Sequence, residues 1–345
     1  MKLLIIDELS KNNAGFLMAL QGAELEFFDA SKSSQQKFSH RSSQALWSKI
    51  SAGVYDAIII GHIGTFSDKG YISRQWANIK WPNAFIWQRL IKNNKPNPGG
   101  GPAIVAINLS DSPAFTVEDT DLLLSCDLYF KRELPQNVIN GFINIHTLRR
   151  TSIASYHFLK NRGAIDKLRP ISVGIDPEAL PDHLVGSEKK YDLFFAGMIH
   201  PPMTVRNAGL PIIQLLKEQG LRIYHPEKPI PRELFLQKCA QSYLVWSPEG
   251  GGWDCYRHYE ATMAGSVPVI NYPTIRRYAP LVDGQHALYY GCENDHLAHV
   301  VLKALQDKAR LVEMGHAAHE HVRRFHTYQA LARYVADTIK THCGI

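Results

Sequence analysis

Residues 246–271 limit what this chain can fold into more than any other stretch. The apolar run 243–246 suits a buried parallel strand. From Ser247 to Trp253 the chain is loop, and the consecutive glycines Gly250, Gly251 and Gly252 let its backbone come close to a ligand. Asp254 is the expected N-cap of a helix running to about Ala264, with Gly265 as its stop. The apolar run 267–270 is the next strand. A glycine-rich loop that leaves a strand and feeds a helix N-terminus suits phosphate, because free amides and the helix dipole both point at it. Arg257 and Glu260 lie three residues apart and so share a helix face. A guanidinium beside a carboxylate suits a nucleotide sugar, with the cation on the diphosphate and the carboxylate on the ribose diol.

The same alternation runs through the chain. Strands are expected at 2–6, 25–28, 57–60, 103–108, 127–130 and 142–145, and helices at 16–21, 45–50 and 84–94. The polar run 31–44 and the Pro/Gly-rich run 96–102 read as loops. Residues 170–181 read as a crossing segment. A second set follows, with strands near 191–196, 221–224 and 287–290 besides the two above, helices at 206–219 and 233–241, and terminal helices from 297 onward. A chain of 345 residues is long for one core and natural for two. The expectation is α/β, with two Rossmann-like domains whose parallel sheets face a central cleft. Their limits are 1–172 and 173–325, and 326–345 form a C-terminal helix packing back on the first domain.

Composition excludes other classes. With 45% hydrophobic and 20% charged residues the chain is globular, and no apolar run reaches the roughly 20 residues that span a bilayer. The apolar start is too short for a signal-peptide core, so a cytoplasmic protein is expected, with peripheral association at the inner membrane face open. Five scattered cysteines without a CxxC pair argue against a disulfide framework or a zinc ribbon. The net charge of +6 fits polyanionic ligands without singling one out. No GxGxxG follows the first strand, which disfavours a nicotinamide enzyme. His316, His319 and His321 read as a solvated helix face rather than metal ligands.

Glu249-Gly250, Arg257-x-x-Glu260-Ala261, Ala264-Gly265 and Pro268-Val269 together resemble the donor-binding half of GT-B glycosyltransferases, nearest in flavour to the CgeB-like and exostosin-like groups. Glu249 and Glu260 are spaced more widely than the paired glutamates of many retaining GT-B enzymes. Residues 191–197 followed by Arg206 form a second element of this kind, a strand ending in glycine with an arginine on the next helix. The order is also similar to that of phage enzymes that glucosylate hydroxymethylated DNA bases.

The resemblance implies a donor site of Gly197, Arg206, Ser247, Glu249, Gly250, Gly251, Arg257 and Glu260. The phage enzymes carry an aspartate past a strand and ahead of a Pro-Phe-like segment. Asp111, ahead of Ser112-Pro113-Ala114-Phe115, matches it and is the candidate base, with His62 as the second candidate. Asn13 and Gly15 are acceptor-side candidates. The implied activity is metal-independent transfer of a sugar from a nucleotide-sugar donor to a glycan or lipid-linked saccharide. Arg206, Arg257 and the helix start would stabilise the leaving diphosphate. No resident cofactor or metal is expected. The alternatives are a DNA-modifying glucosyltransferase and a non-catalytic sugar-nucleotide-binding protein. The donor base, the sugar, the acceptor and the stereochemical outcome stay open.

Overall fold

Uninterrupted runs of aliphatic residues, rather than alternating ones, mark strands covered on both faces. Such runs form most of β1 (Lys2–Asp7), β3 (Ala57–Ile60) and β4 (Ala103–Asn108) in the first sheet of the computed structural model, whose other strands are β2 (Glu24–Asp29), β5 (Leu128–Lys131) and β6 (Leu168–Pro170). All six strands are parallel, in the order β2-β1-β3-β4-β5-β6. The structure describes residues 1–7, 15–29, 40–61, 101–115, 117–142, 162–179, 184–199, 204–293 and 295–345. They divide into two units, Met1–Ile171 with Ala332–Ile345, and Ser172–Leu331.

In the first unit, α1 (His40–Ser51) and α2 (Val117–Ser125) contribute Leu46, Ile50, Leu122 and Leu123 to a core with Leu4, Ile58, Ile104 and Tyr129. The helix α1 begins inside the stretch 31–44 that the sequence assigns to loop. The strand expected at 142–145 is not one at its start, because Phe142 closes a 3-10 turn, Val138–Phe142, and 143–145 lie outside the described residues. So does the expected helix 84–94.

The second sheet holds β7 (Tyr191–Phe194), β8 (Ile223–Tyr224), β9 (Ser242–Trp246), β10 (Val267–Asn271) and β11 (Leu288–Tyr290). Its order is β11-β10-β9-β7-β8, again all parallel. The helices are α3 (Thr204–Glu218), α4 (Arg232–Ala240), α5 (Tyr256–Met263), α6 (His296–Ala304), α7 (Lys308–Phe325) and α8 (Tyr328–Cys343). The last of these runs from the second unit into the first. There Tyr334 donates its hydroxyl to the Pro170 carbonyl (3.0 Å) and meets the Phe130 ring edge-on.

Strand order in the second sheet reverses between β7 and β9. The chain leaves β7 toward β8 on one side, and continues from β9 toward β11 on the other. Ligands of open parallel sheets bind outside the carboxyl ends of the strands at such a point. The segment 195–199 leaves β7 here, and the glycine-rich loop leaves β9.

The helix α3 lies so close to the sheet that a Cβ on Gly209 would fall 2.2 Å from the Trp246 indole. Trp246 is fully buried, and its Nε1 donates to the Tyr290 hydroxyl (3.0 Å), so the ring has no room to move. Gly209→Ala should therefore cost about 1–3 kcal/mol by overpacking, despite alanine's higher helix propensity. Urea unfolding reads this directly, and an unchanged or raised midpoint would contradict the packing described.

Candidate functional site

The glycine-rich loop is fastened at both ends by one side chain. His258, buried on α5, faces the Ser247 hydroxyl with Nδ1 (2.8 Å) and the Trp253 carbonyl with Nε2 (2.8 Å). A carbonyl only accepts, so Nε2 carries the proton and Nδ1 accepts from Ser247. Trp253 in turn donates Nε1–H to the Asn271 carbonyl (2.9 Å). Inside the loop the Gly250 amide donates to the Gly252 carbonyl (2.9 Å).

Asp254 does not cap α5. The N-cap is Cys255, whose side chain makes no capping bond. The buried Asp254 carboxylate accepts instead from the Val173 amide (2.7 Å) and the Tyr259 hydroxyl (2.5 Å). A buried carboxylate is better satisfied by two directed donors than by one free helix amide. Gly265 ends the helix as expected, with φ at +76° and its amide on the Thr262 carbonyl.

Two arginines converge on the loop. Arg206 on α3 is buried, and donates Nη1–H to the Met198 carbonyl (2.8 Å) and Nε–H to the Glu249 carbonyl (3.0 Å). Burial, then the charge of Arg257, pushes its pKa down. Arg257, the second residue of α5, is also buried, and its guanidinium lies over the Phe195 ring, 5.2 Å from the centroid. Its Nε and Nη1 have no hydrogen-bond partner. Among the described residues it forms no ion pair.

Both guanidiniums rest on glycine. A Cβ on Gly197 would lie 2.3 Å from Arg257 Nη2, and one on Gly250 would lie 2.7 Å from Arg206 Nη2. Glycine at these positions lets each guanidinium lie directly against the backbone, which the sequence anticipates only in general terms. Gly251 is exposed at the loop tip.

Glu260 does not turn its charge to Arg257. Its carboxylate pairs with Arg232 Nη1 of α4 at 2.6 Å. Helical spacing places the two residues on one face, but tertiary packing supplies Glu260 with a different cation. The structure thus gathers Gly197, Arg206, Glu249, Gly250 and Arg257 around one spot, with Ser247 committed to holding the loop.

Glu249 is held more firmly than its sequence position suggests. Its amide donates to Asn271 Oδ1 (2.9 Å), and its carboxylate accepts from Asn271 Nδ2 (2.9 Å). Sequence reasoning missed both Asn271 and His258. The available signal was a polar residue closing the apolar run of β10, and a histidine between Arg257 and Glu260.

In the first unit Asp111 follows the carboxyl end of β4. Its carboxylate is exposed and ion-paired with Arg132 Nη1 (2.6 Å), which also donates to the Leu109 carbonyl (3.0 Å). Beside it Lys131, fully buried, donates Nζ–H to the Ser112 carbonyl (2.9 Å), and burial pushes its pKa down to about 8. Gly15 opens the 3-10 turn Gly15–Ala19, while Asn13 and His62 lie outside the described residues.

The expectation of metal-free chemistry passes over one Asp-x-Asp, Asp119-Thr120-Asp121 in α2. Asp119 there is buried and accepts from Asn108 Nδ2 (3.0 Å) and the Tyr129 hydroxyl (2.7 Å), a structural use. His319 and His321 face main-chain carbonyls of Met263 (3.0 Å) and Ala279 (2.8 Å), and His316 is exposed. No group of three or more His, Cys, Asp or Glu placed to hold a metal ion occurs among the described residues. Nor do they include a helix long and apolar enough to cross a membrane.

No family model and no curated protein matches the chain. Solved structures do. Sucrose-phosphate synthase from Thermosynechococcus elongatus superposes with a TM-score of 0.53 at 11% identity, over 99% of this chain and 98% of that one. HepE of Anabaena, solved in complex with UDP, gives 0.52 at 13% identity over 99% and 100%. The catalytic domain of starch synthase IV from Arabidopsis thaliana, bound to ADP and acarbose, gives 0.54 at 10% identity over 100% and 99%. At these identities the likeness is one of fold: the chain is an α/β protein of the GT-B architecture.

Proposed function

We propose that the protein is a glycosyltransferase that takes a sugar from a nucleotide-sugar donor without needing a metal ion. One observation carries this reading. The buried Arg257 guanidinium leaves Nε and Nη1 without hydrogen bonds beside a second buried guanidinium, Arg206, at the carboxyl end of β7 and β9. Unmade hydrogen bonds of a buried cation cost several kcal/mol in the free protein. An anion with oxygens in a fork satisfies them, and a diphosphate has that shape. The three solved structures named above support the same reading, since one carries UDP and one carries ADP.

In this reading Arg206 and Arg257 hold the diphosphate and stabilise the negative charge that grows on it as the glycosidic bond breaks. This is electrostatic preorganisation, at a site where the charges are already in place. The glycines at 197, 250 and 251 admit the phosphates to the backbone, and Glu249 and Glu260 serve the sugar and ribose hydroxyls. Asp111 is the candidate base that takes the acceptor's proton, with His62 second and Asn13 and Gly15 on the acceptor side. The acceptor is a glycan or lipid-linked saccharide.

Release of nucleoside diphosphate from a panel of UDP-, GDP-, ADP- and TDP-sugars tests the reading, with a bacterial glycan extract as acceptor and excess EDTA present. One donor should turn over, and the rate should survive the chelator. Loss of all turnover on chelation would contradict the metal-free assignment, and turnover of no donor would contradict the activity.

A further inference from the structure

Glu249 is the one acidic side chain of the glycine-rich loop, and every polar group it owns has a fixed partner. Its carbonyl takes the Nε–H of Arg206 (3.0 Å), its amide donates to Asn271 Oδ1 (2.9 Å), and its carboxylate takes one Nδ2–H of Asn271 (2.9 Å). Asn271 is buried as the last residue of β10, and its own carbonyl is bonded by the Trp253 indole (2.9 Å). Its amide is therefore a rigid fork from the sheet. A hydrogen bond to the main chain alone would anchor the loop. The second bond, to the carboxylate, adds nothing to loop geometry but sets where the negative charge points.

An isolated carboxylate next to two cations would be expected to swing onto one of them. Here the side-chain amide of Asn271 holds it, while Arg206 donates to the main-chain carbonyl of the same residue. The result is a hydrogen-bond acceptor fixed beside the anion site without neutralising it. Such an acceptor matches a group that is joined to the anion and carries hydroxyls.

We propose that Asn271 is a positioning residue that presents the Glu249 carboxylate to the hydroxyls of the sugar joined to the bound diphosphate. The inference rests on the donor reading above. Asn271 contributes to recognition of the conjugated sugar and not of the nucleoside diphosphate.

The test is calorimetric titration of the full chain with UDP, ADP, UDP-glucose and ADP-glucose, using wild type, Asn271→Asp and Glu249→Asp. Asn271→Asp keeps the acceptor for the Glu249 amide but replaces the donor that grips the carboxylate with a second negative oxygen. Glu249→Asp keeps every main-chain bond and withdraws the carboxylate by one methylene, so it guards against a folding failure in the first variant. Each should bind the nucleoside diphosphate within about threefold of wild type and the nucleotide sugar at least about tenfold more weakly, the scale of one lost charge-assisted hydrogen bond. Adding Glu249→Gln to Asn271→Asp restores a hydrogen bond between the two side chains but not the carboxylate, so nucleotide-sugar affinity should stay low. Equal weakening of both ligand types, or of neither, would overturn the inference and leave the donor site standing. Wild type that binds none of the four would overturn the donor reading and this inference with it.

Discussion

Arg257→Met should weaken nucleoside diphosphate binding by about 100-fold while leaving the ligand-free protein at least as stable as wild type. The two halves come from one cause. In the free protein Arg257 is buried with Nε and Nη1 unbonded. Replacing an unsatisfied buried cation by an apolar side chain of similar length removes a desolvation penalty, and such exchanges are often neutral or stabilising. With ligand present, the same change removes charge-assisted bonds worth about 1.5–3 kcal/mol each. Arg206→Met should behave differently. That side chain also holds the Met198 and Glu249 carbonyls, so its loss should lower stability and affinity together. A parallel urea titration and ligand titration of both variants separates the cases. A fall in stability of Arg257→Met with unchanged affinity would show that this arginine is structural.

Acid should destabilise the protein well above the range where carboxylates titrate. His326 is buried between the Ser172 hydroxyl at Nδ1 (2.9 Å) and the Ala279 carbonyl at Nε2 (2.9 Å), and stacks near the Tyr259 ring at 4.8 Å. The carbonyl fixes the proton on Nε2, so a second proton would have to enter at Nδ1 in a buried site beside His321. Burial pushes the pKa down to about 3, from an ordinary value of 6.5. The unfolded chain then binds a proton that the folded chain refuses, between pH 6.5 and 3. Stability from this group is complete above pH 6.5 and is lost as pH falls through that window. At about 1.4 kcal/mol per unit the loss amounts to roughly 5 kcal/mol. His225 and His286 are shifted the same way by burial and add to the slope. Asp192, held down to about 2 with Arg222 and Lys308 bonded to it, acts only at lower pH. Urea midpoints at pH 7, 6, 5 and 4.5 should fall steadily. His326→Gln should start lower at pH 7 and fall less. A flat profile from pH 7 to 4.5 would contradict the buried neutral imidazole.

Much of the architecture was legible in the sequence because the strands are buried on both faces. Strand 57–60 is an unbroken apolar run and 103–108 is one up to its final Asn108, and the structure reproduces those limits. Helix limits were less legible. The helix α1 starts at His40 within a Ser/Gln/Lys-rich run whose composition suggests loop, since polar residues do not oppose a helix that packs through Leu46 and Ile50. At the candidate site, glycine and arginine spacing marked residues that the structure brings together, Gly197 against Arg257 and Gly250 against Arg206, because close approach leaves a mark in residue type. Partnership was not legible. Asp254 looks like a helix cap and is bonded to Val173, 81 residues away in the chain. Glu260 looks like the companion of Arg257 and is paired with Arg232, 28 residues away. Asn271 carries no motif at all. Such bonds depend on which segments the sheet order brings together, and one chain's sequence does not state that order.

The proposed anion site is formed by the buried guanidiniums of Arg206 and Arg257. Calorimetric titration of wild-type protein with uridine, UDP, adenosine and ADP at moderate salt tests it most directly. One nucleoside diphosphate should bind at least about 100-fold more tightly than its own nucleoside, a difference of roughly 2.7 kcal/mol supplied by the two arginines. Equal affinity for nucleoside and nucleoside diphosphate, or no binding of either diphosphate, would contradict it.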